Sequence, residues 1–214
     1  MPAKCTCGVD KRFGEAKRNV SFEPFAAVRV LTDFPFRGSG RAILKRGRSM
    51  DDVQIVKLGA TELPLFKAIR LESLRCSPSS FANTETDWSS LPNSEWLNRL
   101  KTPVYAVLRG DDPVGIMGLL LQHGEKKAHR ATLIMAYLRE SERGAGLADK
   151  LLSVVTAFAV ENGIRQLELN VSDHNVTAIR FYERHGFEQV GRVPRALIEG
   201  DREVDELIMV QRLS

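Results

Sequence analysis

The chain has 214 residues, of which 43% are hydrophobic and 27% charged, with a formal net charge of +4. This is enough apolar content for one ordinary domain with a buried core and some additional chain. Three cysteines, Cys5, Cys7 and Cys76, exclude a disulfide framework, and an isolated Cys-x-Cys lacks the second ligand pair of a structural zinc site.

No run approaches the roughly 18 consecutive apolar residues of a spanning helix, and the N-terminus lacks the apolar segment of a secretory signal. A cytosolic chain without membrane contact and without a metal is therefore expected. The positive charge is unevenly distributed. Residues 1–50 hold 11 Lys or Arg against 4 Asp or Glu, whereas 51–214 hold 20 against 23. The basic cluster Arg37, Arg41, Lys45, Arg46 and Arg48 could touch a polyanion by charge alone, but the rest is mildly acidic, so nucleic acid is not the expected partner. Residues 1–50 show no sustained period, yet carry five of the ten phenylalanines. Two readings stay open for them: a disordered basic extension, or a stretch outside the working protein, since Met50 precedes "DDVQIVKL", which reads as the start of a first strand. The domain is expected at 51–214.

From there the elements follow in order. "VQIVKL" alternates as a strand. "TELPLFKAIRLESLRCSP" reads as a helix with Leu63, Phe66, Ile69, Leu71 and Leu74 on its apolar stripe, Thr61 as N-cap and Pro78 as its stop. The polar stretch "SSFANTETDWSSLPNS" reads as loop, and "SEWLNRL" as a short helix capped by Ser94. "TPVYAVLRGDDPVGIMGLLLQ" carries a hairpin turn at Arg109 to Pro113, and "RATLIMAYL" is a third strand in the same antiparallel set. The pattern then changes: Leu147, Leu151, Val155, Phe158 and Ala159 recur at helical spacing up to Gly163, and "IRQLELNV" returns to alternation. A strand, a helix and a strand imply a right-handed crossover, hence one parallel pair in an otherwise antiparallel sheet. "NVTAIRFYERHG" is a second helix ended by Gly186, and "FEQVGRV" with "VDELIMVQRL" closes the sheet.

The stretch "LRESERGAGLADK" places Gly144 and Gly146 where a strand hands over to a helix. A tight turn needing positive φ explains them, and so does an anion site. No third glycine follows at Asp149 and no Gly-Lys pair occurs, so neither the dinucleotide fingerprint nor a P-loop is present. Small residues at a helix start do allow backbone N–H groups to approach an anion, where unpaired donors and the helix dipole favour negative charge, and Arg143 adds a fixed cation.

"YLRESERGAGLADKLL", followed about thirty residues later by "NVTAIRFYERHGF", resembles the GNAT superfamily of N-acetyltransferases, which use acetyl-CoA. The resemblance covers about three quarters of the chain, and Asn175, Ala178, Tyr182, Gly186 and Phe187 stand at the family's spacing. It implies the acyl-CoA N-acyltransferase fold, an α/β (α+β) architecture whose mixed, mostly antiparallel twisted sheet, flanked by helices, has one splayed parallel pair. By resemblance, the backbone of Arg143, Gly144, Ala145, Gly146, Leu147 and Ala148 would cradle the CoA pyrophosphate. The strand edge at Ala136, Tyr137 and Leu138 would pair with the pantetheine arm, and Asn175 would contact the cofactor. Tyr182 matches the family's general acid, suitably for a phenol with a reference pKa of about 10.

The general base stays open. Where some members of the family carry a glutamate this chain has Asn170; Glu168, on the same face, is one candidate, with Asp173 and His174 at the next turn as others. The expected activity is acetyl transfer to a small-molecule or peptide amine by direct attack, compatible with a homodimer. Acceptor choice is expected in the first helices, in the loop from Phe81 to Trp88 and in the final hairpin, where Glu85, Asp87, Glu199 and Asp205 could attract a cationic amine. An acyl-CoA sensor without turnover, and a module binding another phosphate, remain alternatives.

Overall fold

A computed structural model describes residues 52–213, and within them seven strands form one sheet. Residues 1–50, with Cys5, Cys7 and the basic cluster, lie outside the described residues. The strands are β1 (Val53–Lys57), β2 (Val104–Arg109), β3 (Asp112–Leu121), β4 (Arg130–Leu138), β5 (Gln166–Ser172), β6 (Glu188–Glu199) and β7 (Arg202–Arg212). Five helices accompany them: α1 (Leu63–Cys76), α2 (Glu85–Ser89), α3 (Asn93–Arg99), α4 (Leu147–Glu161) and α5 (Val176–Arg184). The order across the sheet is β1-β2-β3-β4-β5-β7-β6. Only β4 and β5 run parallel, as the crossover through α4 requires.

That parallel pair controls the architecture. It is in register at Arg130↔Gln166, Ala131↔Leu167 and Thr132↔Glu168 and then ends, although both strands continue. A bulge in β4 accompanies the separation. Gly118 of β3 faces Ile134 and Ile116 faces Tyr137, so one extra residue is inserted on β4, and Met135 adopts φ 57°. A left-handed non-glycine residue inside a strand costs about 1–2 kcal/mol, and is held here by burial of the Met135 side chain among Phe66, Ile116 and Trp88. β3 makes room with glycine: a Cβ on Gly118 would stand 3.0 Å from Met135 Cε, and one on Gly115 2.8 Å from Leu138 Cδ1.

The bulge also shifts the pleat. Ala131 and Leu133 before it, and Leu138 after it, lie on the face covered by α4, with Leu147, Leu151 and Val155. Tyr137 turns to the other face, where Phe66, Trp88 and Trp96 pack edge to face at centroid distances of 5.1–6.2 Å. Each face thus has its own core, and the opening between β4 and β5 lies between them.

Several local expectations require correction. Thr61 is not the cap of α1; Glu62 occupies that position, and its carboxylate accepts from Gly59 N at 2.8 Å. The fully buried residues of α1 are Phe66, Ile69, Arg70, Ser73 and Leu74, while Leu63 and Leu71 pack half-buried against the same core, so Arg70 and Ser73 join the expected apolar stripe. The supposed loop contains α2, started by a reciprocal cap between Thr84 and Asp87. Pro92, not Ser94, precedes α3. β6 extends to Glu199, because a bulge with Arg195 at φ 52° re-registers it on β7. No helix among the described residues is long and apolar enough to cross a membrane.

Candidate active site

Separation of β4 from β5 opens a cleft of about 1210 Å3. One wall is the edge of β4 from Thr132 to Leu138, and the facing wall is Leu169 to Ser172 of β5. Ala136, Tyr137 and Leu138 all line it, on the side where β4 has lost its neighbour. Backbone groups on such an edge can pair with an extended chain as a further strand would.

β4 is anchored at its far end. Arg139 donates to both carboxylate oxygens of Glu72, at 2.8 and 2.7 Å, and from its Nη1 to Asp112 at 2.6 Å. The Tyr137 hydroxyl donates to Glu72 at 3.1 Å. Arg139 holds the Glu72 carboxyl below its ordinary range, and burial first, then Glu72, pushes the Tyr137 phenol well above its own. Next in the chain, buried Glu142 accepts from Arg109 at 2.6 Å and fixes the turn that leads into the glycines.

The glycine turn contributes donors. Gly144 and Gly146 have φ of 80° and 75°, and a Cβ on either would meet nothing within 4 Å. Backbone conformation therefore requires them, while the space above them is open. Gly146 is the N-cap of α4 and provides no side-chain cap, so the first-turn N–H groups are left to a ligand or solvent. Arg143, Gly144, Gly146, Leu147 and Ala148 line the cleft; Ala145 does not. The Arg143 guanidinium is partly engaged already, with Nε donating to Leu138 O at 3.0 Å. Asp149 also borders this end, its carboxylate 3.0 Å from His185 Nε2.

From α5, Tyr182 enters the cleft with its ring edge to face against Phe181 and Phe187. Its hydroxyl makes no hydrogen bond among the described residues, and burial raises its pKa to about 12. Asn175 lines the cleft as well, but its side chain has structural duties: Oδ1 accepts from Ala178 N at 3.1 Å as the N-cap, and Nδ2 donates to Ser80 Oγ at 3.3 Å.

The base candidates do not gather here. Glu168 stands where β4 and β5 are still paired, bound by Arg130 through both carboxylate oxygens and by Gln166 Nε2 at 2.8 Å. Arg130 lowers its pKa, and Glu168 does not line the cleft, so it is a poor proton acceptor. Asp173 is held by Arg192 at 2.7 Å, and His174 lies beside Asp173 outside the cleft. The carboxylate that does reach the β5 wall is Glu206 of β7, opposite Ser172 and 3.4 Å from Asn170 Nδ2. The sequence held one usable signal for it, a charged residue on the same face as Asn170 once β7 is paired with β5.

The acidic residues expected to attract an amine stand away from the cleft. Glu85 pairs with Arg75, Asp87 caps α2, Asp205 pairs with Arg192, and none of these nor Glu199 lines the cleft.

Residues 68–187, which span α1 to α5 and hence both walls, match the Acetyltransferase (GNAT) family. The chain belongs to that family. It is 37% identical over 76 residues to "Uncharacterized N-acetyltransferase YycN" of Bacillus subtilis, covering 35% of this chain and 49% of that protein. It is also 27% identical over 92 residues to "Putative phosphinothricin acetyltransferase YwnH" of the same organism, covering 43% and 56%. The chain thus spans about half the length of the curated relatives it matches. Its fold is that of yncA from Salmonella typhimurium, solved with its cofactor acetyl-CoA: TM-score 0.66, 16% identity, 76% of this chain and 94% of that one. The matched residues include the separating β4/β5 pair and the uncapped start of α4.

Proposed function

We propose that residues 51–214 transfer an acetyl group from acetyl-CoA to an amine by direct attack. The observation that carries this reading is the cleft itself. An unpaired strand edge at Ala136 to Leu138, and free N–H groups at the start of α4, border one continuous opening that also receives Tyr182. An extended amide-bearing arm with a pyrophosphate at one end fits that pairing of features, the anion at the helix start and the amides along β4. YycN and YwnH bear acetyltransferase names, and yncA holds acetyl-CoA, in agreement with it.

In the proposed reaction the amine nitrogen forms a bond to the acetyl carbonyl carbon, and the carbon–sulfur bond then breaks. Backbone N–H groups of the β4 edge near Leu138 stabilise the carbonyl oxygen as it gains charge. Tyr182 Oη gives its proton to the departing sulfur. A phenol at about 12 would be a weak donor to a solvated thiolate with a pKa of about 8.5, but the walls of Leu147, Leu151 and Leu169 desolvate the thiolate too and raise both affinities for the proton. The proton lost by the amine passes to the Glu206 carboxylate, directly or through one water.

Thiol release from acetyl-CoA, measured over an amine panel together with calorimetric binding of CoA, tests this. Release that depends on the amine is expected. Tight CoA binding with no release for any amine would leave a binding module and overturn the transferase reading.

A further inference from the structure

Arg70 stands out because a core position holds a guanidinium. It lies on the buried face of α1, only 3% exposed, and its Nε is buried with no hydrogen-bond partner. Its Nη1 reaches Ser73 Oγ at 3.4 Å, at the limit of a hydrogen bond. No carboxylate stands within ion-pair distance of it among the described residues. The Phe81 and Trp88 rings lie 4.6 and 4.5 Å from its central carbon, and Arg99 stands 4.8 Å from the same Trp88 ring, so two cations share one aromatic residue. Arg99 has a partner, Glu95, at 3.1 Å, but on its exposed side.

Energies show that this arrangement is incomplete. The two ring faces return less to the cation than burial of an unpaired charge costs. Neutralisation offers no escape, because an arginine lowered to about 10 by burial and by Arg99 is still charged at neutral pH. Arg70, Phe81, Trp88 and Arg99 all line the cleft. They belong to the α1–α3 side of the sheet, the face opposite α4 and its glycine turn. The anion they could satisfy is therefore distinct from the pyrophosphate.

We infer that the acceptor amine itself carries an oxyanion, a carboxylate or a phosphonate, which is held by Arg70 with Arg99 while its amine faces the β4/β5 opening and Glu206. This rests on the transferase reading above and narrows the acceptor to zwitterionic, amino-acid-like amines. It reverses the expectation of an acidic, cation-attracting rim. Trp88 provides a built-in reporter, since its ring contacts both guanidinium groups.

The full-length chain is assayed for thiol release with three matched sets: free α-amino acids, aminoalkylphosphonates, and the α-amino amides of the same side chains. The acids or the phosphonates are expected to exceed the amides in kcat/KM by about 100-fold, since a site with unpaired buried donors rejects a ligand that lacks the acceptor. Whichever of the two sets leads identifies the oxyanion. In Arg70→Met that preference is expected to shrink to within a few-fold, mainly through KM of the acid. Arg99→Gln, which alters a half-exposed side chain outside the core, is expected to move it in the same direction and covers the case in which Arg70→Met fails to fold. Equal use of acids and amides by the wild type, or an equal loss for both in the variants, would overturn the inference. A separate measurement uses tryptophan fluorescence with N-acetylated amino acids and phosphonates against N-acetylated amides, none of which can be turned over. Saturable quenching by the anions alone, weakened in both variants, is expected. If no amine releases thiol but this quenching persists, the transferase reading fails and the anion site stands. If amines release thiol and neither preference nor quenching depends on the anion, the anion site fails and the transferase stands.

Discussion

Tyr182→Phe removes an oxygen that faces the cleft from a buried ring, and no group among the described residues hydrogen-bonds it, so its effects on stability and on chemistry separate cleanly. Near neutral pH the change should be almost neutral for folding, within about 1 kcal/mol, because no bond is broken and no charge is lost. At alkaline pH it should matter. Burial raises the folded phenol to about 12 against about 10 in the unfolded chain, so between those values the unfolded state sheds its proton first. Tyr182 therefore contributes fully below about pH 10, and its contribution declines as pH rises through 12. At about pH 11 the ratio of the two titration factors is close to tenfold, which gives about 1.4 kcal/mol lost by the wild type and not by the phenylalanine variant. Urea unfolding of both proteins at about pH 8 and pH 11 measures the difference, with the other tyrosines common to both. Parallel loss of stability by the two proteins would refute the burial argument. For activity, loss of the proposed acid should lower turnover by about 100-fold or more. Unchanged turnover across pH would remove Tyr182 from the mechanism whatever the stability result.

Other tests address the remaining parts of the site. Gly146→Ala, at φ 75° with nothing near its Cβ, should cost about 1 kcal/mol of stability through backbone strain and weaken CoA binding measured by calorimetry; the larger Gly146→Trp should abolish binding in a folded protein. Glu168→Gln should destabilise by about 1–3 kcal/mol while kcat stays within a few-fold, because it breaks the Arg130 pair outside the cleft. The same pair predicts an acid dependence: Arg130 holds the Glu168 carboxyl low in the folded state, so its contribution is present above the ordinary carboxylate range and is lost as pH falls from that range through the lowered folded value, a slope that Glu168→Gln should remove from pH-dependent unfolding curves. Glu206→Gln should lower kcat/KM by about 100-fold, while an unchanged kcat/KM would exclude Glu206 as the proton acceptor.

Much of the fold was legible because periodicity is a local record of burial. The order of the strands and of every α-helix but α2, the parallel pair implied by the crossover, and the glycine turn at the start of α4 follow from spacing within single segments. Tyr182 and Asn175 were found by motif, and both line the cleft. Glu168 was chosen for the correct reason, its shared face with Asn170, but a face does not reveal how far along a strand the pairing lasts. The three-pair register of β4 and β5 leaves Glu168 on the closed part, beside Arg130, which lies 38 positions earlier.

By itself the sequence determined which residues are apolar at which period, where the backbone needs positive φ, and therefore most of the element order and the glycine turn that opens α4. Tertiary structure alone decided the bulge at Met135, which depends on two β3 glycines admitting it. It also decided the meeting of Glu206 with Asn170 and of Arg70 with Phe81, Trp88 and Arg99. Those contacts join distant segments through strand register and helix docking, and side-chain partnership at that range is set by packing rather than by any local pattern.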